Sequence, residues 1–188
     1  MPHNEYLAEG PRVAVRRVTR RDEDGFTAAI RASAALHHPW VSMPATPVAF
    51  HNYVARFDGS SDVGLVVCER RTDRLAGFVN INNIVGGALQ SGALGYAAFA
   101  GAEGRGYISE GVGLVVGFAF AMLGLHRLEA NIQPDNAPSR RLVQRNGFRL
   151  EGYSPEFLFV NGAWRDHERW ATLRPKGTIP TGSGPLTA

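Results

Sequence analysis

The stretch that decides the fold is LGYAAFAGAEGRGYISEG, residues 94–111, followed at residues 126–148 by HRLEANIQPDNAPSRRLVQRNGF. Ala93 to Phe99 reads as a strand, Gly101 to Gly106 as a glycine-rich loop, and Tyr107 to about Leu123 as a helix of about four turns. Glycines in such a loop let the backbone approach a ligand closely. The start of the following helix offers unpaired N–H groups and the positive end of the helix dipole. Together they make an anion site suited to a pyrophosphate. The loop is not a P-loop, because no Gly-Lys-Ser/Thr follows. It is not the dinucleotide fingerprint either, because Ser109 stands where the third glycine belongs. Taken alone, it is equally a loop that only turns the chain. The helical glycines Gly111, Gly113 and Gly117 weaken local stability and permit close packing.

Outward from this centre, His126 to Gln133 reads as a strand. Asn136 opens a helix that stops at Asn146-Gly147. Asn136 and Ser139 have a plain reading as a cap, in which the Asn136 side chain accepts from the amide near Ser139. The same helix start lies beside a strand end, where ligands collect. Leu150 to Val160 and Ala163 to Leu173 flank Asn161-Gly162, a strong hairpin signal. Upstream, Arg12 to Val18, Val63 to Glu69 and Leu75 to Ile81 read as strands, and Arg21 to Ala35 and Val48 to Phe57 as helices. The order predicts an α/β fold with a mixed, mostly antiparallel central sheet flanked by helices. A single domain is expected over residues 1–175, with a disordered tail over residues 176–188, rich in Gly, Pro, Thr and Ser.

Composition narrows the classes. With 188 residues, 44% hydrophobic and 20% charged, the chain can bury one full core. Its single cysteine, Cys68, leaves no disulfide framework and no multi-cysteine metal site, and the histidines show no ligand spacing, so no metal is expected. Cys68 sits in an apolar run and reads as core, not as an acyl-carrying nucleophile. The longest apolar run, near Val112 to Leu125, is too short to span a membrane. Met1 to Gly10 has no apolar signal segment. The net charge of +3 is carried almost wholly by scattered arginines, without a long basic run. The expectation is a soluble cytoplasmic protein, a monomer or homodimer, with no direct contact to nucleic acid or membrane.

The two constellations at this spacing resemble the GNAT acetyltransferase family, and Pro39-Trp40, GFVNINNIVGG at residues 77–87 and GYSPEFLFVNGAWRDH at residues 152–167 resemble the RimJ/RimL-type ribosomal-protein alanine acetyltransferases, the RimJ branch most. The resemblance covers about Arg12 to Leu173 and implies the acyl-CoA N-acyltransferase fold with acetyl-CoA as cosubstrate. It implies that the amides of Gly104, Arg105, Gly106, Tyr107 and Ile108 hold the pyrophosphate. The main chain at Ala97, Ala98 and Phe99 would pair with the pantetheine arm, Asn136 would bond it, and Ser139 would lie near the sulfur. Two departures stand out. Gly101 replaces the family's Gln or Arg, and Val143 replaces the tyrosine that many members place seven residues after the asparagine. Ser139 is then the candidate to protonate or hydrogen-bond the leaving thiolate.

An α-amine, with a pKa of about 7.7–8.0 against about 10.4 for lysine, is partly neutral near pH 7 and asks for only a modest base. The candidates are Glu129, Glu156 and Glu110, each with a plainer reading as a surface or strand carboxylate, Glu129 paired to an arginine. Trp40, Asn80, Asn82, Tyr153 and Trp164 are candidates to line the acceptor groove, with ordinary packing or solvent exposure as their alternative. The acceptor expected is a protein N-terminus, alanine or serine, such as that of a ribosomal protein. The rivals are a small-amine acetyltransferase, which would show a closed pocket and fail with peptides, and a non-catalytic acyl-CoA sensor, which would bind without turnover.

Overall fold

A computed structural model describes residues 5–57, 59–178 and 181. Eight strands form one sheet: β1 (Ala8–Glu9), β2 (Val13–Arg17), β3 (Val63–Glu69), β4 (Leu75–Val85), β5 (Ser91–Ala98), β6 (Arg127–Ile132), β7 (Arg149–Val160) and β8 (Ala163–Leu173). Their order is β1-β2-β3-β4-β5-β6-β8-β7. Every neighbouring pair is antiparallel except β5 and β6, which run parallel. The helices are α1 (Glu23–Ala32), α2 (Ala34–His37), α3 (Pro47–Ala55), α4 (Tyr107–Ala121) and α5 (Ala137–Arg145).

The expected mixed, mostly antiparallel sheet is the one observed. Val63 to Cys68 is buried throughout because β3 is covered on both faces. On one face Val13, Leu65, Val79, Leu94, Leu128 and Ala130 join Ile108, Val112 and Val115 of α4. On the other, Val66, Cys68 and Phe78 meet Phe26 and Ile30 of α1 and Phe50 and Tyr53 of α3. The period of two in each strand sorts these residues between the layers.

Three local readings shift. β1 is only two residues long, too short to leave a periodic signal, and is defined by its pairing with Ala14 and Val15. β4 continues past Ile81 to Val85 because Asn82 and Val85 pair with Ala93 and Ser91. His37, two residues beyond the helix read over Arg21 to Ala35, closes the short helix α2 and is buried. The expected tail falls largely outside the described residues; within it, the Thr181 amide donates to the Ala121 carbonyl at 2.9 Å.

The glycines of α4 divide by environment. A Cβ at Gly111 would come within 2.7 Å of Val67, so its absence lets the helix lie close on β3. Gly117 is exposed and an added Cβ meets nothing within 4 Å. Gly117→Ala is therefore expected to stabilise the chain by about 0.5–1 kcal/mol, read as a higher midpoint in thermal or urea unfolding. A lower midpoint would mean that the exposed face of α4 is covered in solution.

Candidate active site

The parallel pairing of β5 with β6 ends at Leu94 and Ala130, although β5 runs on to Ala98 and β6 to Ile132. The strands part there, and a cleft of about 470 Å³ opens at the gap. Tyr96, Ala97 and Ala98 form one wall, the loop from Ala102 to Ser109 another, and Asn136, Ser139 and Arg141 of the α5 start a third; Leu36, His37 and Trp40 close the remaining side.

The glycine loop has the geometry of an anion cradle. Gly104 and Gly106 take left-handed φ values of +72° and +76°, which L side chains adopt only at a cost. Gly106 is the N-cap of α4. The amides of Gly104, Arg105, Gly106, Tyr107 and Ile108 have no acceptor among the described residues. Arg12 holds the loop in place: its Nη1 donates to the Arg105 carbonyl at 2.9 Å and its Nε to Glu110 at 2.8 Å. Glu110 also accepts the amides of Arg12 and Val13, at 2.8 and 3.1 Å. Partial burial acts to raise the Glu110 pKa, but the Arg12 and Val13 amides and the Arg12 guanidinium outweigh it and lower it. Glu110 is thus a clamp between β2 and α4 and does not line the cleft. Arg141 and Arg145 reach the cleft and make no ion pair among the described residues. Five unpaired amides at a positive helix end, beside two unpaired guanidiniums, are a donor set that fits a pyrophosphate. At Gly101 an added Cβ would meet nothing within 4 Å, but its φ of +86° is a left-handed conformation that an L side chain adopts only with strain.

Asn136 caps α5, its Oδ1 accepting the Ser139 amide at 3.1 Å. The Ser139 hydroxyl takes no part in that cap. It lies 2.6 Å from the phenol oxygen of Tyr96. Burial pushes the Tyr96 pKa up to about 12, with the Ser139 bond acting in the opposite direction. Val143 is fully buried in the core, so α5 offers no phenol at that position. His37 Nε2 donates to the Ala98 carbonyl at 2.8 Å and fixes the end of β5. Phe99 lies outside the cleft: its amide donates to the Ala76 carbonyl at 2.9 Å and its ring sits in the α1–α3 core. Burial pushes the Cys68 thiol up to about 12, which leaves it an inert core residue.

The remaining candidates are dispersed. Glu129 accepts from Arg127 Nε at 2.9 Å and Arg169 Nη2 at 2.8 Å and does not line the cleft. Its partial burial acts to raise the pKa, and the two guanidiniums outweigh it and lower it. A carboxylate held in this way is a weak proton acceptor. Glu156 is exposed at a bulge in β7, with its amide donating to Asp166 at 2.8 Å. Asn80 is buried and accepts the Tyr53 hydroxyl at 2.8 Å, and Asn82 bonds Arg56 and the Ala93 carbonyl, each at 3.4 Å. Tyr153 donates to Asp166, and Trp164 stacks edge-on with Phe159; both are exposed on the β7–β8 hairpin, away from the cleft. Only Trp40 of the acceptor candidates lines it. A second cavity of about 350 Å³ shares His37 and Val41 with the cleft and is bordered by Asn161, whose Nδ2 donates to the Pro39 carbonyl at 2.8 Å. Tyr96 and His37 are the residues that sequence reasoning passed over. Alternation from Leu94 points Tyr96 to the α5 face, but nothing local says that a serine from another element meets it.

The site is thus a parted pair of parallel strands with a row of donor amides at the start of the following helix. The acetyltransferase (GNAT) domain matches residues 12–149, and the chain belongs to this family. It is therefore an N-acetyltransferase. It is 37% identical over 123 residues to the probable N-acetyltransferase YjcK of Bacillus subtilis, covering 65% of this chain and 68% of that one. It is 33% identical over 104 residues to the Escherichia coli [ribosomal protein uS5]-alanine N-acetyltransferase, covering 55% and 54%. Among solved structures, Mycobacterium smegmatis RimJ in complex with CoA-disulfide superposes with a TM-score of 0.81 at 26% identity, covering 90% of this chain and 85% of that one. No described helix is long and apolar enough to cross a membrane, and no described group of His, Cys, Asp or Glu could hold a metal ion.

Proposed function

We propose that the chain transfers acetyl from acetyl-CoA to the α-amine of a protein N-terminus, alanine or serine, such as that of a ribosomal protein. The observation that carries the cosubstrate is the row of amides from Gly104 to Ile108 that have no acceptor among the described residues, with Gly104, Gly106 and Ile108 lining the cleft. In this reading they hold the pyrophosphate, Arg141 and Arg145 add charge, and Asn136 and the Ala97–Ala98 main chain steer the pantetheine toward the gap between β5 and β6. The likeness to the Escherichia coli uS5-alanine enzyme and to RimJ supports the peptide acceptor. The amine attacks the thioester carbonyl directly within one ternary complex, because Cys68 is buried and cannot carry the acetyl group.

No strong base is needed for an α-amine. Glu110 and Glu129 titrate below the ordinary carboxylate range and stay ionised across the working pH. Turnover at subsaturating peptide is therefore expected to rise nearly tenfold per pH unit below about pH 7.5 and to level off above about pH 8, following the acceptor's own amine. A plateau that begins near pH 6 would reveal a dedicated base. Intact-mass analysis tests the acceptor class. A short peptide beginning with free alanine should gain one acetyl, and a matched peptide with a blocked N-terminus and an internal lysine should gain none. Acetylation of spermidine alone would overturn the peptide reading.

A further inference from the structure

Tyr96 and Ser139 reach one point from two elements. Tyr96 lies on β5 two residues past Leu94, the last residue paired with β6, and Ser139 lies in the first turn of α5. Their hydroxyl oxygens are 2.6 Å apart, and both residues line the cleft. Asn136 alone supplies the helix cap, so the Ser139 hydroxyl has no capping duty, and Tyr96 is its one partner among the described residues. α5 carries a buried valine at position 143, and the phenol at the cleft comes from β5.

We propose that Tyr96 is a positioning residue for the leaving sulfur: its O–H donates to Ser139 Oγ and so turns the Ser139 hydroxyl hydrogen toward the thioester sulfur of bound acetyl-CoA. This rests on the acetyl-CoA reading above and does not depend on the acceptor. During transfer the amine nitrogen bonds to the acetyl carbon, the C–S bond breaks, and its electron pair goes to sulfur. The Ser139 O–H hydrogen-bonds that sulfur as charge develops. The proton lost by the amine goes to water, and water returns one to the sulfur, giving amide and CoA thiol. Tyr96 keeps its proton throughout, since burial sets its pKa at about 12, well above a thiol's value of about 8.5. A chain of two hydroxyl bonds in a partly buried site polarises the terminal donor more than one alone.

Tyr96→Phe, Ser139→Ala and the double variant test this, with released CoA thiol measured using the alanine peptide, spermidine or water as acceptor. Tyr96→Phe is expected to lower kcat about tenfold and to leave the KM for acetyl-CoA within about twofold. The double variant should be no slower than Ser139→Ala, because Tyr96 acts through that hydroxyl. A binding measurement separates this proposal from the acceptor reading. Wild-type protein should bind CoA several-fold more tightly at pH 9.5 than at pH 7, where the thiol is protonated, and Tyr96→Phe should lose most of that preference. Thermal midpoints of the single variants report whether they fold. An unchanged kcat in Tyr96→Phe, losses that multiply in the double variant, or CoA binding without pH preference in wild type would each overturn the proposal.

Discussion

Replacing Gly106 with valine is expected to weaken acetyl-CoA binding by about a hundredfold and to leave the chain folded. Gly106 sits at φ +76° as the N-cap of α4, and its Cβ would stand 3.2 Å from the Arg12 guanidinium that anchors the loop. A β-branched residue resists the left-handed region by about 1–2 kcal/mol, so the backbone relaxes toward φ < 0. That rotation turns the amides of Gly106 and Tyr107 away from the cleft. Charge-assisted hydrogen bonds are worth about 1.5–3 kcal/mol each, so losing one or two gives the expected factor. Calorimetric titration of acetyl-CoA into wild-type and variant protein measures it. An unchanged Kd would remove the pyrophosphate from this loop and return the glycines to a role in turning the chain.

Phe26→Ala is expected to cost about 3–5 kcal/mol of stability. Phe26 is fully buried in α1, with ring centres at 5.2 Å to Phe50, 5.3 Å to Phe99, 5.5 Å to Tyr53 and 6.1 Å to Phe78. It joins α1 and α3 to the sheet at the strand end where Ala98 is held by His37. For a chain of this length the loss corresponds to a fall of roughly 10 °C in the unfolding midpoint, visible by circular dichroism. Residual activity, assayed well below that midpoint, should fall as well, because the same cluster supports the wall of the cleft. A change under about 1 kcal/mol would mean that the neighbouring rings collapse into the vacated space.

Much of the site was legible locally. Glycines at 101, 104 and 106 between a strand and a helix needed only the rules of left-handed backbone and helix ends, and the asparagine that opens α5 needed only capping chemistry. The hairpin at Asn161-Gly162 was equally local, and its two strands span Arg149–Val160 and Ala163–Leu173. The carboxylates were not legible. Glu129 and Glu110 carry the same local signature as a catalytic base, and only the arrival of Arg127, Arg169 and Arg12 shows how each is held. Tyr153 and Trp164 likewise looked like groove aromatics until the edge position of their hairpin left them exposed.

The sequence by itself determined the layered α/β class, the glycine loop between strand and helix and the capped helix beyond it, because each depends on backbone preferences within a few residues. Only the tertiary structure decided where β5 and β6 part, that His37 holds the Ala98 carbonyl, and that a tyrosine from a strand meets a serine from a helix. The last two are contacts between residues 61 and 43 positions apart, set by how strands pair and layers pack, and no periodicity in the chain encodes them.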